Sequence, residues 1–255
     1  MVLNRRLCPR TTALLTLFTT ILALAGCSTS TTERESSTAA FGTSTTRSES
    51  ATTDSAPTAS SSAIALPDVD LSRLADLRDD FPAGFNAAPP SEPGKESAEY
   101  AYLVGDTVSY GRPFTVNPPP CRALLKPVDG LPGADRMGVG AEGPEKQVIT
   151  VSLNNPVTVP AGLPSAGCDR MSFHVQDDAV RTDGTAERLA APNIHGAATS
   201  AIKITVDGAP YVEYFYVAIL DSRAYTEVRA RVNRNFQAQP LLPDLLSKAV
   251  AAIRE

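Results

Sequence analysis

Tyr211-Val212-Glu213-Tyr214-Phe215-Tyr216-Val217-Ala218-Ile219-Leu220 is apolar or aromatic on both faces, as befits a central strand covered on each side. Asp207-Gly208 in front of it is a hairpin turn signal, and Asp221-Ser222 behind it turns the chain into a further strand from Tyr225 to Val232. Farther out the period is two. Ile149, Val151 and Leu153 alternate with Thr150 and Ser152, Met171, Phe173 and Val175 with Ser172, His174 and Gln176, and Ile202, Ile204 and Val206 with Lys203 and Thr205. Each set predicts a half-buried strand. From Pro243 to Arg254, Leu245, Leu246, Ala249, Val250 and Ile253 lie on one stripe and predict an amphipathic helix packed on the sheet. Toward the N-terminus, Asp68 or Asp70 caps a short helix with Leu71, Leu74 and Leu77 on one face, ended by Phe81-Pro82. Gly84 turns the chain, Glu99 to Val104 reads as a strand, and the prolines 118–120 open one or two helical turns at Cys121-Arg122-Ala123-Leu124-Leu125. The expectation is a single α+β domain over 64–255, an antiparallel β-sheet flanked by a few helices.

The first 63 residues have a different character. Arg5, Arg6 and Arg10 precede an apolar segment, Thr11 to Ala25, too short to span a bilayer comfortably, and Leu24-Ala25-Gly26-Cys27 follows as a lipobox. This predicts a bacterial lipoprotein signal over 1–26, with Cys27 lipidated and the protein exported and held on the extracytoplasmic face of the cell membrane. Residues 27–63 are dominated by Ser and Thr and read as a polar tether, either O-glycosylated or plainly disordered. The net charge of −5, or −8 without the three leader arginines, argues against a nucleic-acid partner.

Of four cysteines, Cys8 leaves with the leader and Cys27 takes the lipid, so Cys121 and Cys168 are expected to form a disulfide. No zinc-type spacing accompanies them, and no metal or cofactor is expected. Gly138-Val139-Gly140-Ala141-Glu142-Gly143 matches the dinucleotide-binding pattern, but Pro144 and a strand follow where a helix is needed; a glycine-relieved strand or loop is the better reading. His174 and His195 show no partner for acid–base, nucleophilic or metal chemistry, and His174 is expected on the solvent side of its strand. Arg223, Arg229, Arg231 and Arg234 gather around Tyr225, and Arg229 and Arg231 share a strand face. The strip is either a grip for phosphate or carboxylate groups or a solvated edge strand protected by charge. Tyr211, Tyr214 and Tyr216 either line an amphipathic pocket or pack in the core with their hydroxyls at its periphery.

From about Leu71 to Glu255 the chain resembles a family of mycobacterial and related actinobacterial lipoproteins with an exported domain of unknown function. The resemblance is carried by Asp80-Phe81-Pro82-Ala83-Gly84-Phe85, Cys121 behind its prolines, the Val148-to-Leu153 strand, Cys168 before Met171-Ser172-Phe173, the Tyr-rich strand and the Ala249-to-Arg254 segment. More loosely it looks like the extracellular sensor domains of mycobacterial Ser/Thr kinases, which usually have two disulfides where this chain can form one. Neither resemblance supplies catalytic residues. The functional expectation is a non-enzymatic ligand-binding or sensor-like module of the cell envelope, recognising a lipid, a glycan or another protein. The alternatives are a structural partner subunit and an envelope hydrolase.

Overall fold

Ten strands of the computed structural model, which describes residues 69–176, 182–221 and 223–254, form one antiparallel sheet. The leader, Cys27, the Ser/Thr-rich segment, Asp177-Asp178 and Ser222 lie outside the described residues. In chain order the strands are β1 (Asn86–Ala87), β2 (Gly94–Lys95), β3 (Phe114–Asn117), β4 (Asp129–Glu142), β5 (Val148–Thr158) and β6 (Arg170–Val175). They continue with β7 (Thr182–Leu189), β8 (Ala197–Val206), β9 (Tyr211–Leu220) and β10 (Ala224–Asn233). Across the sheet the order is β1-β4-β5-β10-β9-β8-β7-β6-β3, with β2 also paired to β4. A one-turn helix α1 (Arg122–Leu125) and a longer helix α2 (Leu241–Ala252) accompany the sheet, with a 3-10 helix at Leu71–Asp80.

The α+β expectation is therefore corrected to a mostly-β fold built on one large sheet. Two long strands, β4 and β7, come from segments whose glycines, proline and charges hide any period of two. The segment after the triple proline forms a single turn, within the one or two expected, and the helix at Leu71 winds as a 3-10 helix. Leu71, Leu74 and Leu77 recur every third residue, the spacing that eclipses side chains in a 3-10 helix, and Leu74 and Leu77 are buried. Asp70 caps it, accepting a hydrogen bond from the Ser72 backbone N–H at 2.9 Å. Glu99 to Val104 is not a strand but a turn and a 3-10 turn at Ala101–Leu103. It crosses Gly130 so closely that a Cβ there would meet the Ala101 carbonyl oxygen at 2.5 Å.

The two faces of the sheet are covered in a stagger. On one face α2 and the 3-10 helix at Leu71 pack over β4, β5, β10 and β9. There Leu242, Leu245, Leu246, Ala249 and Val250 meet Met137, Val139, Ile149, Val151, Leu153, Val228, Ala230, Tyr214 and Tyr216. On the other face α1, Cys121 and Cys168 cover β3, β6, β7, β8 and β9 through Leu124, Leu125, Phe114, Met171, Phe173, Val175, Ile202, Ile204 and Phe215. Val217, Ile219 and Tyr225 extend that covering with Val104, Val128 and Val157. β9 lies under both coverings along most of its length, which is why its even residues enter one core and Phe215, Val217 and Ile219 the other.

Cys121 and Cys168 stand with their Cα atoms 5.6 Å apart and their sulfurs at bonding distance, closing a separation of 47 residues. The thiols should resist alkylation until reduced. On the chain-entropy view the cross-link is worth about 4 kcal/mol, so Cys121→Ser should lower the melting midpoint by on the order of 10 °C. Peptide mapping of the non-reduced protein and differential scanning calorimetry check both; free thiols at both positions contradict the bridge.

Candidate functional site

The staggered covering leaves two half-faces of the sheet open. On the α2 face, β6, β7 and β8 present Arg170, Glu187 and Lys203 opposite one another, beside Ser172, Thr185 and Thr205, around a hollow of about 660 Å³. This is a cross-strand ladder of alternating charge and hydroxyls. His174 belongs to its margin and has a partner that sequence reading missed: its Nδ1 lies 2.7 Å from Asp183 Oδ1 on the paired strand.

The second open half-face lies on the disulfide side of β4, β5 and β10, and it holds the arginines. Glu213 is a buried charge inside the apolar run of β9. Arg229 donates to its Oε2 from Nε at 3.0 Å and from Nη2 at 2.6 Å, while Arg231 donates to its Oε1 from Nε at 2.8 Å. One carboxylate thus orients two guanidinium planes through charge-assisted hydrogen bonds. Burial by itself would lower the pKa of Arg229, but Glu213, with Tyr110 and Glu227 adding to it, outweighs burial and holds the group above its ordinary value. Arg231 follows the same balance. Below them Tyr225 donates to Glu227 Oε2 at 2.6 Å. Burial raises the Glu227 carboxyl above the usual carboxylate range, with Glu213 and Asp106 adding to the rise and Tyr225 and Arg229 offsetting it. Burial, then Glu227, raises the Tyr225 hydroxyl.

Tyr110 completes the group from a separate segment. Its hydroxyl accepts hydrogen bonds from Nη2 of both arginines, at 2.8 Å from Arg229. The Arg229 guanidinium also lies 5.6 Å from the centre of the Tyr110 ring. The loop is bent to this position by Asp106, whose Oδ1 accepts from the backbone N–H of Val108 and Ser109 at 3.1 and 2.8 Å. Its Oδ2 accepts from Ser109 Oγ and the Gly111 N–H. Tyr110 takes a φ of 52°, and the Tyr102 ring lies where a Cβ on Gly111 would be, 1.8 Å from its Cε2. Thr107 Oγ1 donates to the Leu125 carbonyl at 2.9 Å, and Lys126 Nζ donates to the carbonyls of Tyr102 and Val104, so the loop is stitched to α1 beside the disulfide. Tyr110, Val148, Thr150, Arg229 and Arg231 enclose a pocket of about 310 Å³.

The structure brings together only some of the residues read from sequence. Arg229, Arg231 and Tyr225 share the disulfide face of β10, and Tyr211 joins them at the end of β9, its ring 4.9 Å from the Arg231 guanidinium. Tyr214 and Tyr216 point the other way, into the core under α2, so the three tyrosines do not line one pocket. The Tyr216 hydroxyl accepts from Gln239 Nε2 at 2.9 Å, and burial raises its pKa to about 12. Arg223 sits in the exposed turn between β9 and β10, and Arg234 donates to the Ala209 carbonyl at 2.8 Å; neither joins the strip. Sequence reading missed Tyr110, Glu213 and Glu227. The available signals were the one charge within an apolar strand and the spacing of Asp106, Ser109 and Gly111 that marks a side-chain-bonded turn.

No curated protein matches the chain. A solved structure of an uncharacterized protein, the Rv0999 ortholog from Mycobacterium smegmatis, shares the fold at 22% identity and a TM-score of 0.54, covering 74% of this chain and 99% of that one. That likeness is one of fold. The family model described as a domain of unknown function, DUF5642, matches residues 70–254, and the chain belongs to that family.

Proposed function

We propose that the protein is a non-enzymatic binding or sensor-like lipoprotein of the cell envelope that takes the phosphate or carboxylate group of an envelope lipid or glycan in the Arg229/Arg231 pocket. The observation that carries this reading is that one buried carboxylate serves two guanidinium groups. Glu213 takes hydrogen bonds from both guanidinium groups, Glu227 acts on Arg229 only through space, and among the described residues the Nη1 atoms of both arginines make no hydrogen bond. An incoming anion replaces hydration of pre-oriented donors rather than ordering flexible side chains, which favours binding. The pocket offers a rim of hydroxyls at Tyr110 and Thr150, suited to holding an oxyanion and the carbon next to it.

Titration with glycerol 3-phosphate, followed by the Nε–H NMR signals of Arg229 and Arg231, tests the site. Saturating shifts at low salt should weaken as salt screens the charges. Arg231 is the better residue to change, because its side chain is 41% exposed against 28% for Arg229 and its loss leaves Glu213 partnered. Arg231→Gln should cost about tenfold in affinity, the worth of roughly one charge-assisted hydrogen bond. Signals that do not move, or move equally in the variant, leave the arginines as ordinary sheet surface.

The envelope location rests on the lipobox. Cys27→Ala should release the protein from the membrane fraction or leave it as an uncleaved precursor, read by fractionation with metabolic lipid labelling. A membrane-bound variant of processed size contradicts a lipid anchor at Cys27.

A further inference from the structure

Thr150 borders both the arginine pocket and a second hollow of about 370 Å³ on the same open half-face of β4 and β5. Its floor is the glycine pair left unassigned by the dinucleotide-like motif. Gly138 lies opposite Ser152 and Gly140 opposite Thr150, while Met137, Val139 and Ala141 between and beside them enter the core on the other face. The fold does not itself require glycine at Gly138, and at Gly140 a Cβ needs a small shift of Thr150. A Cβ on Gly138 would meet nothing nearer than the Val151 carbonyl oxygen at 3.4 Å, and one on Gly140 the Thr150 methyl at 3.3 Å. Neither has a positive φ. Gly143 and Gly184 differ, since a Cβ there would strike Phe85 at 2.6 Å and Phe173 at 2.4 Å. Two glycines inside a strand each cost about 0.5–1 kcal/mol relative to alanine. What they supply is a floor without side chains, on which a ligand can lie against the backbone.

Around that floor stand Ser91, Glu96, Arg136, Thr150, Ser152 and Asn154. Asn154 is 8% exposed, and its Oδ1 has no hydrogen-bond partner. A buried amide left incomplete carries a desolvation cost that a ligand hydroxyl removes once the amide turns toward it. The surrounding hydroxyls, carboxylate, amide and guanidinium match the alternating donors and acceptors of a sugar ring. An extended peptide fits less well. The backbone of β4 is engaged on one side by β5 and on the other by β1, β2 and Ser91, whose Oγ donates to the Gly138 carbonyl at 2.8 Å, so no strand can be added over this floor.

We propose that the Gly138/Gly140 floor is a saccharide-binding groove adjoining the arginine pocket, so that the ligand of this face is a sugar bearing a phosphate or carboxylate group. This deepens the reading of the arginine pocket and rests on it for the anionic end alone.

Isothermal titration calorimetry of the disulfide-bonded protein with inorganic phosphate, a panel of hexose 6-phosphates and hexuronates, the neutral hexoses and an aspartyl dipeptide separates the two halves. At least one acidic sugar should bind tenfold or more tighter than inorganic phosphate. Gly138→Val should abolish that advantage, leave phosphate affinity unchanged, and keep the melting midpoint near that of the native protein, because a Cβ there meets nothing nearer than 3.4 Å. Asn154→Ala should reduce the same advantage without touching phosphate. An acidic sugar that binds no tighter than phosphate, or an advantage that survives Gly138→Val, overturns the groove while leaving the arginine pocket standing. Neutral-sugar binding lost in Gly138→Val, with phosphate silent, upholds the groove and removes the arginine reading. A gain from the dipeptide matching that from the sugars reassigns the groove to peptides and overturns the proposal.

Discussion

A carboxylate buried in the central strand must be neutralised where it stands, and the geometry around Glu213 follows from that constraint. The disulfide-side core reaches Phe215 and goes no farther along β9, so Glu213 lies where apolar packing stops. Its register partner is Arg231, and Arg229 approaches diagonally from the position opposite Phe215. Removing both guanidinium groups would strand a buried carboxylate, at a cost of about 3–5 kcal/mol, whereas either arginine alone still partners it. The triad therefore marks the border between a packed half-sheet and an open one. It fixes the two guanidinium planes before any ligand arrives.

The border is guarded from above by a segment whose position depends on distant covalent chemistry. Cys121 starts the turn that becomes α1, the end of α1 receives Thr107, and Asp106 next to it folds the chain so that Tyr110 reaches both arginines. The linkage runs through hydrogen bonds to backbone atoms, which tolerate little displacement. Electrostatics acts on the same scale. The protein as a whole repels anions, so attraction at this face is confined to a few ångströms around the arginines and is strongly salt-dependent.

How much of this was legible in the residues varies with how directly each is written in the local period. β9 was readable because burial on both faces removes alternation, and β5, β6 and β8 because burial on one face imposes it. β4 was not. Its disulfide-side positions include Gly138 and Gly140 over an uncovered half-face, so the strand lacks the polar alternates that make a pattern visible. β7 fails for a similar reason, with Gly184 where Phe173 fills the space and Asp183 and Glu187 on the open side. Arg229 and Arg231 were found as a pair because they are two apart on one strand. Tyr110 was out of reach, since only the folded loop brings it to residues 119 and 121 positions away. The class changed from α+β to mostly β because β4 and β7 add two long strands that were not legible and the three-residue leucine spacing yields a 3-10 helix.

A sheet this wide that does not close on itself has two free margins, each a row of unpaired backbone donors and acceptors able to recruit another chain. Here the margins are β1 and β2, each two residues long, at one end and β3, four residues long, at the other, so little ladder is offered at either end. Pro89-Pro90 follows β1, and Pro118-Pro119-Pro120 follows β3, ending each before it can lengthen. The prolines that break the sequence pattern thus act as stops against self-association. A neighbouring copy therefore meets little ladder to extend at either end.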